Sequence, residues 1–267
     1  MDLSVNGPKI YYELPFDIPL FGRAIITQTT VSIFAVTVLL IVMALIVSKN
    51  LNKKKPGGLQ IVAEKLINML YGLVEDTMGK HNLKFAPYIG TLFLSSICGT
   101  LIGMTQIFRS TTADLSVTAA WALITTGMVW YNNIKNFGFV AWLKGFTEPI
   151  VVMTPMNIVS EIASPVSMAF RHFGNVAGGS VLTALIYAAL ALVSKLVFGW
   201  IPGIVSTIPF FQVGIPAVLS IYFDLFSGFV QALVFSLLTM VYVGAACPPI
   251  EELPEKRRNK LLVKKQK

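Results

Sequence analysis

Charge, cysteine and histidine are all scarce in this sequence. Only 13% of its 267 residues are charged, whereas about a quarter are charged in an average soluble domain. Hydrophobic residues make up 55% of the chain, and the mean hydropathy is +0.71. The shortage of charge excludes an ordinary water-soluble domain and predicts that a lipid bilayer is the solvent.

The few cysteines and histidines exclude most site chemistry. Cys98 and Cys247 lie beside apolar runs, so neither a disulfide framework nor a cysteine zinc site is expected. His81 and His172 lack the neighbours that a zinc site or a catalytic triad needs, and we expect His172 to be a polar edge residue. The glycine-rich segment 174–180 (GNVAGGS) has no lysine before its serine and is not a phosphate-binding loop. We therefore expect no catalytic site, no metal and no cofactor.

Five apolar runs are long enough to cross a bilayer. They occupy residues 26–47, 85–108, 115–131, 156–198 and 208–246. The first 25 residues lack a compact apolar stretch and do not read as a cleavable signal peptide. The sequence thus predicts an all-α polytopic membrane protein with an N-terminal segment over residues 1–25, one membrane domain over 26–246 and a basic tail over 247–267.

Two further segments are expected at the membrane surface. Residues 59–78 place Val62, Leu66 and Leu73 at helical spacing, with Glu64 on another face, which predicts an amphipathic helix that lies on the membrane. Residues 132–154 are rich in Phe and Trp but interrupted by charges, and we expect an interfacial segment there.

The basic residues predict the orientation. Sixteen of the 21 Lys and Arg residues follow the first, third and fifth runs. Because short cytoplasmic loops carry the excess of Lys and Arg, five spans put the N-terminus outside and the C-terminus in the cytoplasm. The net charge of +8 then belongs to segments that face lipid or other subunits, and no nucleic acid partner is needed to explain it.

The last two runs are longer than a bilayer requires. As one helix, residues 156–198 would extend about 60 Å, roughly twice the hydrocarbon thickness of about 30 Å. The fifth run would still extend about 45 Å from residue 217 onward. We therefore expect two long C-terminal helices that lie obliquely in the membrane, as if they followed the curved side of another body.

Arg171 lies inside the fourth run, where an arginine at mid-membrane depth costs at least about 2.5–3.5 kcal/mol. At helical spacing, Ser164, Asn175 and Gly178 share its face. Gly174 and Gly178 would let another helix approach closely. Arg171 is therefore a functional candidate, and the alternative is a structural ion-pair partner buried in a helix bundle.

The fifth run carries a second polar stripe, and Asp224 is its one acid within the membrane. The residues that recur at helical spacing are Ser220, Asp224, Ser227, Gly228, Gln231 and Thr239. One interpretation is that Asp224 neutralises Arg171 and Gln231 joins two helices. The stripe holds more polar groups than one ion pair needs, however, and such a stripe can hold water and relay ions.

Two segments resemble subunit a of the F-type rotary ATP synthase. They are residues 165–178 (PVSMAFRHFGNVAG) and 229–243 (FVQALVFSLLTMVYV). Residues 111–118 (TTADLSVT) and 155–163 (PMNIVSEIA) are similar to two further stretches of that family. The resemblance implies a translocating subunit of the bacterial plasma membrane with no catalytic site of its own. Its implied partners are the rotor ring of small hydrophobic c subunits, the peripheral-stalk b subunits and, indirectly, the soluble ATPase.

The resemblance also implies roles for single residues. Arg171 corresponds to the family's essential arginine, Asn175 to the asparagine one turn on, and Gln231 to the glutamine near that arginine. Asp224 stands where many members have a His or an acid, and Ser180 where many have an acid, so the acidic relay is expected at Asp224. Protons or sodium ions would pass through two half-channels to the rotor carboxyls. The candidate lining residues are Asp114, Glu161, Ser180, Ser220 and Ser227.

Two other classes of membrane protein are the alternatives. A secondary transporter also uses charges within the membrane, but it commonly contains two related halves, and no repeat relates residues 1–130 to 131–267. A non-conducting membrane scaffold would not need the Asp224 and Gln231 stripe in addition to Arg171.

Overall fold

The computed structural model describes residues 9–18, 22–49, 51, 57–105, 107–148, 150–198, 221–255 and 257–259. Within these ranges the regular structure is helical except for one N-terminal hairpin. The predicted class is confirmed: the chain is an all-α polytopic membrane protein.

The hairpin at the N-terminus was not anticipated from the sequence. Strand β1 spans Ile10–Ile18 and pairs antiparallel with β2, Gly22–Thr27. The register pairs Ile10 with Thr27 and Ile18 with Gly22, with irregularities between them. Each strand contains two Ile residues; β1 adds two Tyr and one Phe, and β2 ends in Thr, and such branched or aromatic side chains favour extended backbone.

The first predicted span is helix α1, Gln28–Lys49. A reciprocal cap begins it: Thr27 Oγ1 accepts from the Thr30 N–H, and Thr30 Oγ1 accepts from the Thr27 N–H, each at 3.4 Å. Three of its 22 residues are buried, Thr29, Ser32 and Val36. The remaining apolar side chains are left to face hydrocarbon, which solvates them as well as a protein core would.

Helix α2, Gly58–Met78, confirms the helix predicted over residues 59–78; its place on the membrane surface stays a prediction. Gly79, at φ 81°, turns the chain out of α2 and into a 3₁₀ segment, Lys80–Phe85. Helix α3, Ala86–Met104, follows.

The third run becomes helix α4, Leu115–Phe137, which begins after a 3₁₀ turn at Thr111–Ala113. Gly138, at φ 93°, separates it from the short helix α5, Phe139–Gly145. Trp142 packs against three aromatic rings in this region, those of Phe139, Phe146 and Trp130. The interfacial location predicted for residues 132–154 stays a prediction.

Helix α6 runs from Thr154 to Phe198 without interruption. Its 45 residues extend about 67 Å at 1.5 Å per residue, so the predicted excess length is confirmed. Pro165 lies inside the helix and removes the backbone hydrogen bond to the carbonyl of Glu161. Asn157 Nδ2 donates to the carbonyls of Phe146 and Glu148, at 2.8 and 3.0 Å, and fixes the first turn.

The described part of the last run begins with a π-helical turn, Ile221–Phe226, and continues as helix α7, Ser227–Ala245. Residues 208–220 of that predicted run lie outside the described residues. A 3₁₀ turn, Ile250–Glu252, follows α7.

By length and composition, four helical stretches of the described chain can cross a membrane: Gln28–Lys49, Lys80–Met104, Val151–Val197 and Ser227–Ala245. Helix α4 is 23 residues long but is not among these stretches, and polar residues such as Thr118, Thr125 and Asn132 lower the hydropathy of its sequence. A fifth span at α4, and with it the side of the membrane on which each terminus lies, stays a prediction.

The chain groups into two compact units. The first comprises Met1–Val38, Ser96–Leu115 and Arg171–Ala232, and the second Leu39–Ser95, Ser116–Phe170 and Leu233–Lys267. The core of the second unit joins α2, α3 and α7. Its buried members are Val74, Met78, Ala86, Ile89, Met240 and Val243.

Side-chain amides cap the end of α7 within the second unit. The Asn82 Nδ2 donates to the carbonyl of Cys247 at 2.8 Å and to that of Met78 at 3.0 Å. Asn136 Nδ2 donates to the carbonyl of Ala246 at 2.9 Å. Met78 is the last residue of α2, so its carbonyl has no partner within that helix. The other two carbonyls lie just beyond the last residue of α7, and the amides hold the chain where it leaves that helix. Asn82 is 1% exposed, so water cannot replace the hydrogen bonds of its amide.

Asn82→Ala is therefore expected to lower stability by about 1–3 kcal/mol, because it removes a buried donor from two carbonyls. The measurement is the thermal unfolding midpoint of the chain in detergent. Asn68→Ala, at an exposed position of α2, is the control and should change stability by less than about 0.5 kcal/mol. Equal shifts for the two variants would contradict the capping role.

Candidate functional site

Arg171 lies on a face of α6 that the described residues leave uncovered. The exposed members of this uncovered face are Ser160, Ser167, Arg171, Gly174, Gly178 and Leu185. A Cβ added at Gly174 or Gly178 would meet no described atom within 4 Å. The predicted close approach of another helix at these glycines is therefore not made by the described part of this chain.

The opposite side of α6 is packed, and His172 is at its centre. The His172 side chain is 0% exposed, which corrects the expectation of a polar edge residue. Its Nε2 lies 3.0 Å from Oγ of Ser96 on α3, and the ring also interacts with the backbone of Gln231 on α7. Successive helical residues point about 100° apart, so an exposed Arg171 and a buried His172 are compatible neighbours.

Asn175 and Ser227 form the direct contact between the two predicted polar stripes. Ser227 Oγ donates to Asn175 Oδ1 at 2.8 Å, and Asn175 Nδ2 lies 3.5 Å from the Ser227 carbonyl. Gln231 is one turn further along α7 and is 7% exposed. Asn175, Ser227 and Gln231, which were predicted separately, are therefore brought together in the first unit.

A close helix contact holds this group in place. At Gly228, an added Cβ would lie 2.6 Å from Cγ2 of Thr100 on α3. Thr100 Oγ1 is 3.0 Å from Thr112 Oγ1, and Ser110 Oγ donates to the Gly99 carbonyl at 3.1 Å. These contacts tie α3 to the turn that leads into α4. The half-buried Asp114 ends that turn. Among the described residues, Asn175 hydrogen-bonds to Ser227 and not to Asp114.

Asp224 lies in the π-helical turn directly before α7. The prediction that Asp224 and Gln231 share a face assumed 3.6 residues per turn throughout. The π-helical turn departs from that spacing. Because the Asp224 side chain lies outside the described residues, the shared face stays a prediction. Ser180 lies on α6. The side chains of Ser180 and Asp224, and all of Ser220, lie outside the described residues.

Glu161 belongs to a separate polar cluster in the second unit. Trp130 Nε1 donates a hydrogen bond to Glu161 Oε1. A cavity of about 250 Å³ adjoins them, with polar lining from Thr125, Thr126, Asn133, Glu161, Ser164 and Tyr242. Since one water takes up about 30 Å³, the cavity has room for several. It can therefore hold water beside a carboxylate.

Sequence reasoning missed the burial of His172 and its partner Ser96, as well as Trp130, the hydrogen-bond donor to Glu161. Ser96 and Thr100 are four residues apart in the second apolar run, which is a polar helical face that the spacing could have revealed. The partners of Glu161 are distant in sequence, Trp130 by 31 residues, and follow no local pattern.

Comparison with known proteins gives one family. The family described as ATP synthase A chain matches residues 30–244. The chain is 31% identical to "ATP synthase subunit a, sodium ion specific" of Propionigenium modestum, over 94% of this chain and 89% of that protein. It is 31% identical to ATP synthase subunit a of Desulforamulus reducens, over 91% and 88%, and 28% identical to that of Moorella thermoacetica, over 86% and 95%.

The contact at Gly228 generates a test of the packing. Gly228→Ala is expected to lower stability by about 1–3 kcal/mol, because the new methyl group overlaps the Thr100 methyl group. Thr100→Ser in the same background keeps the hydroxyl, removes the methyl group and should restore much of the loss. Gly178→Ala is the control and should leave the unfolding midpoint in detergent unchanged, since its Cβ meets no described atom. Failure of Thr100→Ser to rescue would refute the contact.

Proposed function

The chain belongs to the family of ATP synthase A chains, and from that premise we propose that it is the ion-conducting stator subunit of an F-type ATP synthase. The observation that carries the proposal is Arg171, exposed beside Gly174 and Gly178 on the uncovered face of α6. A guanidinium in an apolar surface requires a counter-group from another molecule. The rotor ring of small c subunits, each with a carboxyl at mid-membrane depth, supplies it.

Arg171 acts on the rotor through electrostatics. A rotor carboxyl is neutral, protonated or sodium-bound, while it faces lipid. When it reaches Arg171, the positive charge favours the ionised form and releases the ion. Arginine cannot lose its own proton under these conditions, so the positive charge is permanent and blocks ions from passing straight between the two half-channels.

The two glycines explain how the ring comes close enough. A carboxylate and a guanidinium interact strongly only at hydrogen-bonding distance. With no side chains at Gly174 and Gly178, a helix of the ring can pass the α6 backbone closely while Arg171 remains the one projecting group. The length of α6 fits the same role, because a long helix can follow the curved side of a ring.

Two half-channels are assigned to two polar clusters. One is built around Asp224, the Asn175–Ser227 pair and Gln231, with Ser180 and Ser220 as further lining and Asp114 near its mouth. The π-helical turn at Asp224 supports this role, because such turns occur frequently at functional sites. The other is the cavity of about 250 Å³ beside Glu161, which has room for several waters. Glu161 precedes Arg171 by ten residues, about 15 Å along α6.

The location and partners follow from the same assignment. We place the chain in a bacterial plasma membrane, with residues 1–25 outside, 26–246 in the membrane and the basic residues 247–267 in the cytoplasm. The peripheral-stalk b subunits and, indirectly, the soluble ATPase complete the set of partners.

The coupling ion is a proton or a sodium ion. ATPase activity of the purified complex with and without sodium distinguishes the two.

Arg171→Ala and Arg171→Lys are expected to reduce ATP-driven ion pumping to background while the complex still assembles. Alanine removes the charge, and a buried lysine loses its proton readily. Pumping is measured in vesicles that hold the complex, and assembly by co-purification of the c ring and the soluble ATPase. Near-normal pumping in either variant would overturn the assignment, and so would purification of the chain without these partners, as expected of a transporter.

Asp224→Asn is expected to slow passive ion conduction through the membrane sector several-fold, because the amide cannot exchange a proton or bind a cation as a carboxylate does. Glu161→Gln should do the same for the other half-channel. Glu251→Gln, at an exposed position after α7, is the matched control. Conduction equal to wild type in Asp224→Asn would leave Asp224 a structural residue only.

A further inference from the structure

Three helices of the first unit meet at the His172 side chain. His172 on α6 has no exposed surface, and its hydrogen-bond partner Ser96 on α3 is 1% exposed. The ring also lies near the backbone of Gln231 on α7. A single side chain of α6 therefore hydrogen-bonds to one neighbouring helix and lies close to the other, directly after the residue that carries the proposed function.

The direction of one residue on a helix fixes the direction of the next. Residues on an α-helix are separated by about 100° of rotation. If His172 points toward Ser96 and Gln231, Arg171 must point to the uncovered face. An apolar side chain could fill the same space, but the hydrophobic effect is non-directional and tolerates small rotations of the helix. A hydrogen bond weakens steeply when its geometry departs from linearity, so it resists them.

We propose that His172 is a positioning residue, which holds α6 at the rotation that presents Arg171 to its counter-group, through its hydrogen bond with Ser96 and its burial between α3 and α7. This inference rests on the function proposed above. Arg171 has to meet each rotor carboxyl closely and leave no path past the guanidinium. A rotation of α6 would move the guanidinium sideways and open such a path. The expected consequence of losing the His172 contacts is a leak of ions without rotation.

The test compares coupling in variants of the assembled complex. His172→Leu keeps much of the volume and removes the hydrogen bond with Ser96. We expect the complex to assemble, the passive ion leak to rise about threefold to tenfold, and the number of ions pumped per ATP to fall by a similar factor. His172→Gln retains hydrogen-bonding groups and should recover at least half of the lost coupling. A role in packing alone predicts that Leu is the milder of the two substitutions.

Ser96→Ala tests the same contact with a smaller change, in case His172→Leu does not assemble. It should raise the leak in the same direction, and adding Ser96→Ala to His172→Leu should have little further effect, since both remove one interaction. Ser236→Ala is the matched control. Ser236 is buried on α7, and its hydroxyl has no hydrogen-bond partner among the described residues, so coupling should be unchanged.

Arg171→Ala, measured in parallel, separates the two proposals. If Arg171→Ala abolishes pumping while His172→Leu and Ser96→Ala couple as wild type does, the positioning role is wrong and the proposed function stands. If Arg171→Ala pumps normally, both are wrong. Fully additive leaks in the double variant would also overturn the proposal, because the two side chains would then act independently.

Discussion

A hydrocarbon solvent offers a polar group no hydrogen-bond partner, so polar side chains in this chain must find partners within the protein. Thr100 pairs with Thr112, and Thr125 Oγ1 lies 3.4 Å from Thr239 Oγ1. Lipid tails are as apolar as the helix surfaces, so apolar burial adds little drive for helices to associate, and close packing and polar pairs contribute instead. The group around His172, Asn175 and Ser227 follows from the same constraint.

Arg171 is the exception, because its guanidinium is exposed and not buried against a partner within the described part of this chain. The chain buries the histidine beside it and leaves the guanidinium as the one charge on a face whose other exposed members are Ser, Gly and Leu. Burial within this chain would have needed an internal acid and given a stable but inert ion pair. Exposure leaves the charge available to a counter-group from another subunit, as the proposed function requires. The family to which the chain belongs, that of ATP synthase A chains, is named for such an assembly.

The helices could be predicted because apolar run length is a strong signal. Residues 26–47 and 59–78 match α1 and α2 to within two residues at each end. The hairpin was missed because its few alternating residues give no comparable signal. The π-helical turn at Asp224 was missed because spacing arguments assume one helix type. Arg171 and Asn175 could be selected from the cost of polar groups in lipid, but the partners of His172 and Glu161 depend on tertiary packing.

The amide cap on α7 also bears on the order in which the chain is synthesised. Asn82 and the Cys247 carbonyl it binds are separated by 165 positions. Translation delivers the donor early and its acceptor only near the end of the chain. The second unit can collapse around α2 and α3 beforehand, but a buried amide stays without this acceptor until the last helix has been inserted. Completion of the polypeptide, rather than insertion of any earlier span, is therefore the event that closes the fold.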